Sequence, residues 1–185
     1  DNVAPVATCQ ALTVQLNAAG TATITAAQID NGSSDACGIV STTIDVSSFD
    51  CTNVGANTVT LTVTDNNGNV STCTSTVTVE DNVDPNAVCQ DITVQLSALG
   101  AATITAADIN NGSNDACGIA SLSLNNTTFD CSNVGANTVV LTVTDTNGNA
   151  STCSAIVTVE DNVAPVATCQ ALTVQLNAAG TATIT

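Results

Sequence analysis

The chain has 185 residues, 16 of them acidic, with no lysine, arginine or histidine and a formal net charge of −16 at pH 7. With nothing to neutralise a phosphate, nucleic acid is excluded as a partner, and so is a basic patch for a membrane surface. No apolar run is long enough to cross a bilayer, so no membrane insertion is expected, and the acids can be met only by water or a bound cation.

The sequence superposes on itself with a shift of 80 residues. Residues 1–80 and 81–160 agree at 54 of 80 positions without a gap, and 161–185 repeats 1–25 at every position. A fixed period of this kind marks an array of like units. The expected division is 1–80, 81–160, and the first two strands of an incomplete third repeat over 161–185, the array continuing beyond.

In the first repeat Leu12, Val14 and Leu16 alternate with Thr13 and Gln15, the period-two mark of a half-buried strand. Asn17–Gly20 is a turn by composition, and Thr21–Thr25 is the return strand. A polar loop, Asp30–Gly38, precedes a shorter strand over Ile39–Asp45, and Ser47–Gly55 is read as irregular. Thr58–Thr64 is the cleanest strand, with Val59, Leu61 and Val63 on one face and threonines on the other, as β-branched polar residues on a wet face. Asp65–Asn69 is a turn with Asn-Gly chemistry, and Val70–Glu80 is the last strand. No segment has a 3.6-residue period. Six or seven short strands per repeat predict an all-β chain of tandem immunoglobulin-like antiparallel β-sandwiches, with the strand order taken as up-and-down.

An 80-residue unit buries only about 60% of its unfolded surface, and each full repeat has one aromatic, Phe49 or Phe129. Cysteines supplement the thin core. They fall at 9, 37, 51 and 73, recur at 89, 117, 131 and 153, and begin again at 169. Four per small Thr- and Asn-rich unit, without a Cys-x-x-Cys pair or histidine, read as a disulfide framework in an oxidising, extracellular compartment. Of the three pairings open to each unit, Cys9–Cys73 with Cys37–Cys51 is preferred, then Cys89–Cys153 with Cys117–Cys131. Cys37–Cys51 would close a local loop contributing about 3 kcal/mol on the chain-entropy model. Cys169 has no expected partner within the chain.

Each last strand runs into Val79-Glu80-Asp81-Asn82-Val83-Asp84-Pro85 or Val159-Glu160-Asp161-Asn162-Val163-Ala164-Pro165, read as joints between units. The strand order brings Glu80 and Asp81 toward Asp108, Asn111, Asp115, Asp145 and Asn147 of the second unit. The same positions in the first unit include Asp30, Asp35 and Asp65, and Glu160 and Asp161 repeat the joint. Carboxylates, amide oxygens and carbonyls converging without a basic partner suit a hard cation, and Ca2+ is the expected ion. Three readings stand: calcium at the joint, calcium within one loop, or ordinary turn-forming Asp and Asn.

The motifs run in the order Asp-Asn-x-x-Pro, Ala87-Val88-Cys89-Gln90-Asp91, Asp115-Ala116-Cys117-Gly118, Phe129-Asp130-Cys131-Ser132-Asn133-Val134-Gly135 and Asp145-Thr146-Asn147-Gly148-Asn149. This order resembles the hyalin-repeat (HYR) module found in tandem in large secreted bacterial surface proteins. The sequence departs from that pattern in the Gln after the first cysteine, the missing aromatic of the second strand and the fourth cysteine. The resemblance implies an immunoglobulin-like, extracellular module associated with adhesion and without catalytic residues.

Without His, Lys or Tyr, only carboxylates could do acid–base work, and no aromatics are free to hold a sugar ring, so no enzyme is expected. The reading is a secreted or cell-surface structural protein, a stalk or fibre whose partners are neighbouring repeats or like chains. The alternative is an adhesin segment that binds glycan, ice or a cell-surface partner. Six Asn-x-Ser/Thr sites, at Asn31, Asn69, Asn111, Asn125, Asn126 and Asn149, are no more than the composition gives by chance.

Overall fold

The computed structural model describes residues 2–184. The first six strands are β1 (Leu12–Gln15), β2 (Thr21–Thr23), β3 (Ile39–Ile44), β4 (Ser48–Asp50), β5 (Gly55–Asp65) and β6 (Val70–Glu80). They recur as β7 (Ile92–Gln95), β8 (Ala101–Thr103), β9 (Ile119–Leu124), β10 (Thr128–Asp130), β11 (Gly135–Asp145) and β12 (Ala150–Glu160). Each set makes a sandwich of a four-stranded sheet, β1-β6-β5-β3 or β7-β12-β11-β9, against a two-stranded one, β2-β4 or β8-β10. The fold is all-β and immunoglobulin-like. Among the described residues no helix is long and apolar enough to cross a membrane.

The expected order sets the Asp30–Gly38 loop and the Asp65 turn at one end and the close of β6 at the other, as found, but one pairing departs from the antiparallel sandwich expected. β1 lies parallel to β6, in register from Leu12 opposite Val77 to Gln15 opposite Glu80, while the other pairings of the first unit are antiparallel. The chain also changes sheets halfway down. β3 covers only the upper half of β5, from Ile39 opposite Asp65 to Ile44 opposite Leu61. It then crosses to the other layer and continues downward as β4, where Phe49 faces Ala22 and Asp50 faces Thr21. The stretch Ser47–Gly55, read as irregular, is therefore this lower strand followed by a 3₁₀ turn at Cys51–Asn53.

Alternation fills the core as the sequence pattern requires. Val59, Leu61 and Val63 of β5, Val77 and Val79 of β6 and Leu16 just past β1 are buried, and Ile24, Ile29 and Phe49 complete the cluster. The second unit builds the same core from Leu96, Val139, Leu141, Val143, Val157 and Val159 with Ile104, Ile109 and Phe129. A single helical turn, α1 (Ala26–Ile29) or α2 (Ala106–Ile109), drives a fully buried isoleucine into each core. It starts at Thr25 or Thr105, whose backbone N–H donates to Gln28 or Asp108. Four residues are too few to leave a helical period in the sequence.

Candidate metal centre and disulfide at the joint

β6 runs to the lower end of the first unit, and the upper loops of the second unit meet it there. Glu80 turns back onto its own unit and accepts from the side-chain amides of Gln15 and Asn82. Asp81 turns into the joint and is buried, at 7% exposure. Its Oδ1 accepts the Val83 N–H at 3.1 Å, and its carbonyl accepts the Asn149 side-chain amide of the second unit at 3.0 Å. Its Oδ2 is buried without a hydrogen-bond partner.

Asp115 comes from the loop before β9, where its Oδ1 accepts the Cys117 N–H at 2.7 Å. Ligand atoms of Asp81, Asp115 and Cys117 all lie within 4.8 Å of one another. Cys117 is disulfide-bonded and has no thiolate to offer, so the two carboxylates are the donors. A buried carboxylate oxygen with no donor, beside a second acid in a chain without a base, suits a cation. Two carboxylates supply part of the six to eight oxygens calcium takes.

The remaining acids are held by local bonds. Asp145 is 1% exposed and accepts the backbone N–H groups of Asn147 and Asn149 and the side-chain amide of Asn149, at 2.8–2.9 Å. Burial raises its pKa, but the bonds from Asn149, Asn147 and Gly148 outweigh it and hold the carboxyl below its usual value. Asp145 therefore shapes the turn that presents Asn149 to Asp81. Asn147 accepts from the Thr146 hydroxyl, and the Asn111 N–H donates to Val88 O. Asp108 is taken up as the cap of α2, its carboxyl lowered by the bonds from Thr105.

In the first unit Asp30 accepts the Ser33 N–H, Asp35 the Cys37 N–H, and Asp65 the same three donors as Asp145. Glu160 accepts from Gln95 and Asn162, and Asp161 is exposed and accepts the Val163 N–H. Of the expected joint set, the structure thus groups Asp81 with Asp115. It adds Asn149, which the sequence reading had placed only in a turn.

The disulfides correct the expected scheme in one respect. Cys9 is bonded to Cys73, and Cys89 to Cys153, but neither Cys37–Cys51 nor Cys117–Cys131 forms. Instead Cys51 of the first unit is bonded to Cys117 of the second, with Cα atoms 5.2 Å apart. Cys37 sits at the upper end, its carbonyl accepting the Asn66 side-chain amide, whereas Cys51 follows β4 at the lower end beside Gly20. The six residues of β3 alone span roughly 20 Å, well beyond the reach of a disulfide. The expectation went astray by pairing cysteines only within a unit. The signal was present in the period itself, because a lower end of one repeat must face an upper end of the next.

Gly20 makes room for this bond. Its φ is +70°, and a Cβ there would lie 2.7 Å from the Cys51 sulfur and 3.2 Å from the Ala116 Cβ. Cys117 in turn packs against the core of the first unit.

No protein-family model matches the sequence, and neither does any curated protein. Among solved structures the chain is similar to protocadherin gamma B7 extracellular cadherin domains 1-4, at 15% identity and TM-score 0.40 over 86% of this chain and 51% of that one. It thus spans about half the length of that relative. Human protocadherin-24 EC1-2 is similar at 13% identity and TM-score 0.48, covering 87% of this chain and 100% of that one. The Clostridium thermocellum CbhA fibronectin(III)-like modules are similar at 11% identity and TM-score 0.32, covering 90% and 97%.

Proposed function

We propose that this chain is a segment of an extracellular structural rod, a linear array of immunoglobulin-like modules over 1–80, 81–160 and the repeat beginning at 161. Each joint is locked by a disulfide and stiffened by calcium. The observation that supports the reading best is the Cys51–Cys117 bond, which fastens one module to the next beside the main-chain connection. Two covalent links between neighbours remove the free rotation that a single linker would leave. A protein that only needed to hold its modules on a string would gain nothing from the second.

Calcium is the finer part of the reading. Asp81 and Asp115 would hold the ion, with water and backbone oxygens completing its shell, and it would offset two like charges facing each other across the joint. No base in the chain can do so. An ion bound only by the folded joint raises stability by mass action. The melting temperature of the oxidised chain should therefore fall on adding a chelator and recover with calcium, and Asp81→Asn should remove most of that response. A melt indifferent to chelator removes calcium from the reading. Scattering that shows freely jointed modules with the Cys51–Cys117 bond intact removes the rod.

A further inference from the structure

We infer that the joint between the two units is a metal site selected by redox state, at which the reduced pair Cys51 and Cys117 joins Asp81 and Asp115 to hold zinc. This deepens the reading of the joint as a cation site, resting on its two carboxylates and not on calcium.

Cys117 is the member of the Asp81, Asp115 and Cys117 cluster that the disulfide silences. Ligand atoms of all three lie within 4.8 Å of one another. The Cys51 sulfur is bonded to the Cys117 sulfur and so lies beside the same cluster. Opening that bond turns a site of two carboxylates into one of two carboxylates and two sulfurs. No segment has to move in. The four side chains already meet there from the end of β6, the loop before β9 and the turn after β4.

Asp81 points to a cation independently of the sulfurs. It is 7% exposed, and its Oδ2 is buried without a hydrogen-bond partner. A buried carboxylate oxygen with no donor is costly, and the chain has no lysine, arginine or histidine to supply one.

The redox state then decides which ion fits. Calcium takes oxygen ligands and gains nothing from sulfur, whereas soft thiolates favour zinc over calcium or magnesium. Two sulfurs and two carboxylate oxygens complete the tetrahedral shell that zinc takes in structural sites. Such a shell sets its ligand atoms roughly 3.3–3.8 Å apart, so side-chain rotations of about an ångström close it. Both sulfurs abut Gly20, which leaves them the space a side chain would take. A Cβ there would lie 2.7 Å from the Cys51 sulfur and 3.6 Å from the Cys117 sulfur.

The bond opens by thiol–disulfide exchange. Two molecules of a small thiol such as glutathione give two cysteine thiols and leave as one oxidised disulfide. Zinc then displaces both protons to solvent as two zinc–sulfur bonds form. Oxidation runs the sequence backward, restoring the disulfide and releasing zinc. The units are thus held together in both states, covalently when oxidised and through the ion when reduced.

Cobalt(II) reports the site, because it adopts zinc's geometry and absorbs when a thiolate binds it. Replacing Cys37, Cys51, Cys131 and Cys169 by serine keeps both in-unit disulfides and leaves Cys117 as the sole thiol, so no reductant is needed. That chain should bind one cobalt with a thiolate charge-transfer band, which equimolar zinc abolishes. Keeping Cys51 and reducing the pair with a phosphine should double the band per ion. Asp81→Asn and Asp115→Asn, each in the Cys117-only chain, should weaken cobalt binding about tenfold or more. No band in the Cys117-only chain at millimolar cobalt, an equal band in a chain whose sole thiol is Cys169, or an affinity untouched by Asp81→Asn would overturn the inference. Calcium is judged separately, by the melt of the oxidised parent with chelator. A chelator-indifferent parent beside a cobalt band removes calcium and keeps zinc, and the reverse pair of results removes zinc and keeps calcium.

Discussion

Asp65 and Asp145 are carboxylates buried without any cation, each satisfied by the turn it organises. Burial pushes both pKa values up, and hydrogen bonds from Asn69 or Asn149 and the neighbouring backbone more than reverse this, so the folded values lie below the unfolded 3.8. A depressed carboxylate contributes stability that is complete above the unfolded pKa and is lost as the pH falls through the folded one. In Asp145→Asn the new amide would point N–H groups at the donors of Asn149. That variant should melt clearly lower than the parent at neutral pH, and the gap should narrow as titration passes below about 4. A gap that stays constant into strong acid would mean that the charge is not what holds the turn. Gly20 sets a second residue-scale test. Alanine there meets both positive-φ strain, about 1–2 kcal/mol, and the Cys51 sulfur at 2.7 Å. Gly32, at φ +80° with nothing within 4 Å, isolates the strain alone. Gly20→Ala should be the more destabilising of the two and should lower the yield of Cys51–Cys117 disulfide in non-reduced digests. Equal effects would show that the sulfur has room to move.

Among the elements, β5 and its repeat β11 sit inside their sheets, and both were legible from alternation alone. Leu61, fully buried on β5, has Cys73 opposite it on β6. Truncating Leu61 to alanine should cost about 2–5 kcal/mol, measured by denaturant midpoint, whereas Thr60→Ala on the other face should change little. What could be read was what period two controls: the strands, the inward valines, the turns at Asp65 and Asp145. What could not be read was set by long-range packing. That β1 lies beside β6 followed from the Cys9–Cys73 pairing, but the division of the strands into a four-stranded and a two-stranded sheet was recorded by no single segment. β4 was hidden because three residues carry no pattern, and hiding it put Cys37 and Cys51 at the ends of a loop instead of at opposite ends of a sandwich. Asp81 and Asp115 were singled out as candidates by charge and by the end of the sandwich they occupy. Asn149 was not, because an asparagine after Asn-Gly reads as turn chemistry whether or not it also reaches across a joint.

At the scale of the molecule, the two sandwiches are coupled through Cys51–Cys117 and through Asp81, which follows β6 directly and is buried with its carbonyl accepting the Asn149 side-chain amide. The disulfide spans 66 residues of sequence, and a loop that long would restrict the unfolded chain by roughly 4 kcal/mol on the entropy model. That restriction is felt fully only when both sandwiches unfold, since either one left folded already fixes one end of the loop. Coupling, more than bulk stability, is therefore the quantity the bond controls. In the parent chain, loss of one sandwich leaves the other tethered at two points to a disordered neighbour, and the two should melt close together. Replacing both Cys51 and Cys117 by serine keeps each core and each internal disulfide, so each sandwich should still fold. Their transitions should separate in calorimetry, and the relative orientation of the sandwiches, followed by residual dipolar couplings or scattering, should broaden. Calcium should restore part of the alignment in that variant, because Asp81 and Asp115 remain. If the double variant keeps one orientation and one transition with chelator present, the joint is held by packing alone, and neither disulfide nor ion is what makes the array stiff.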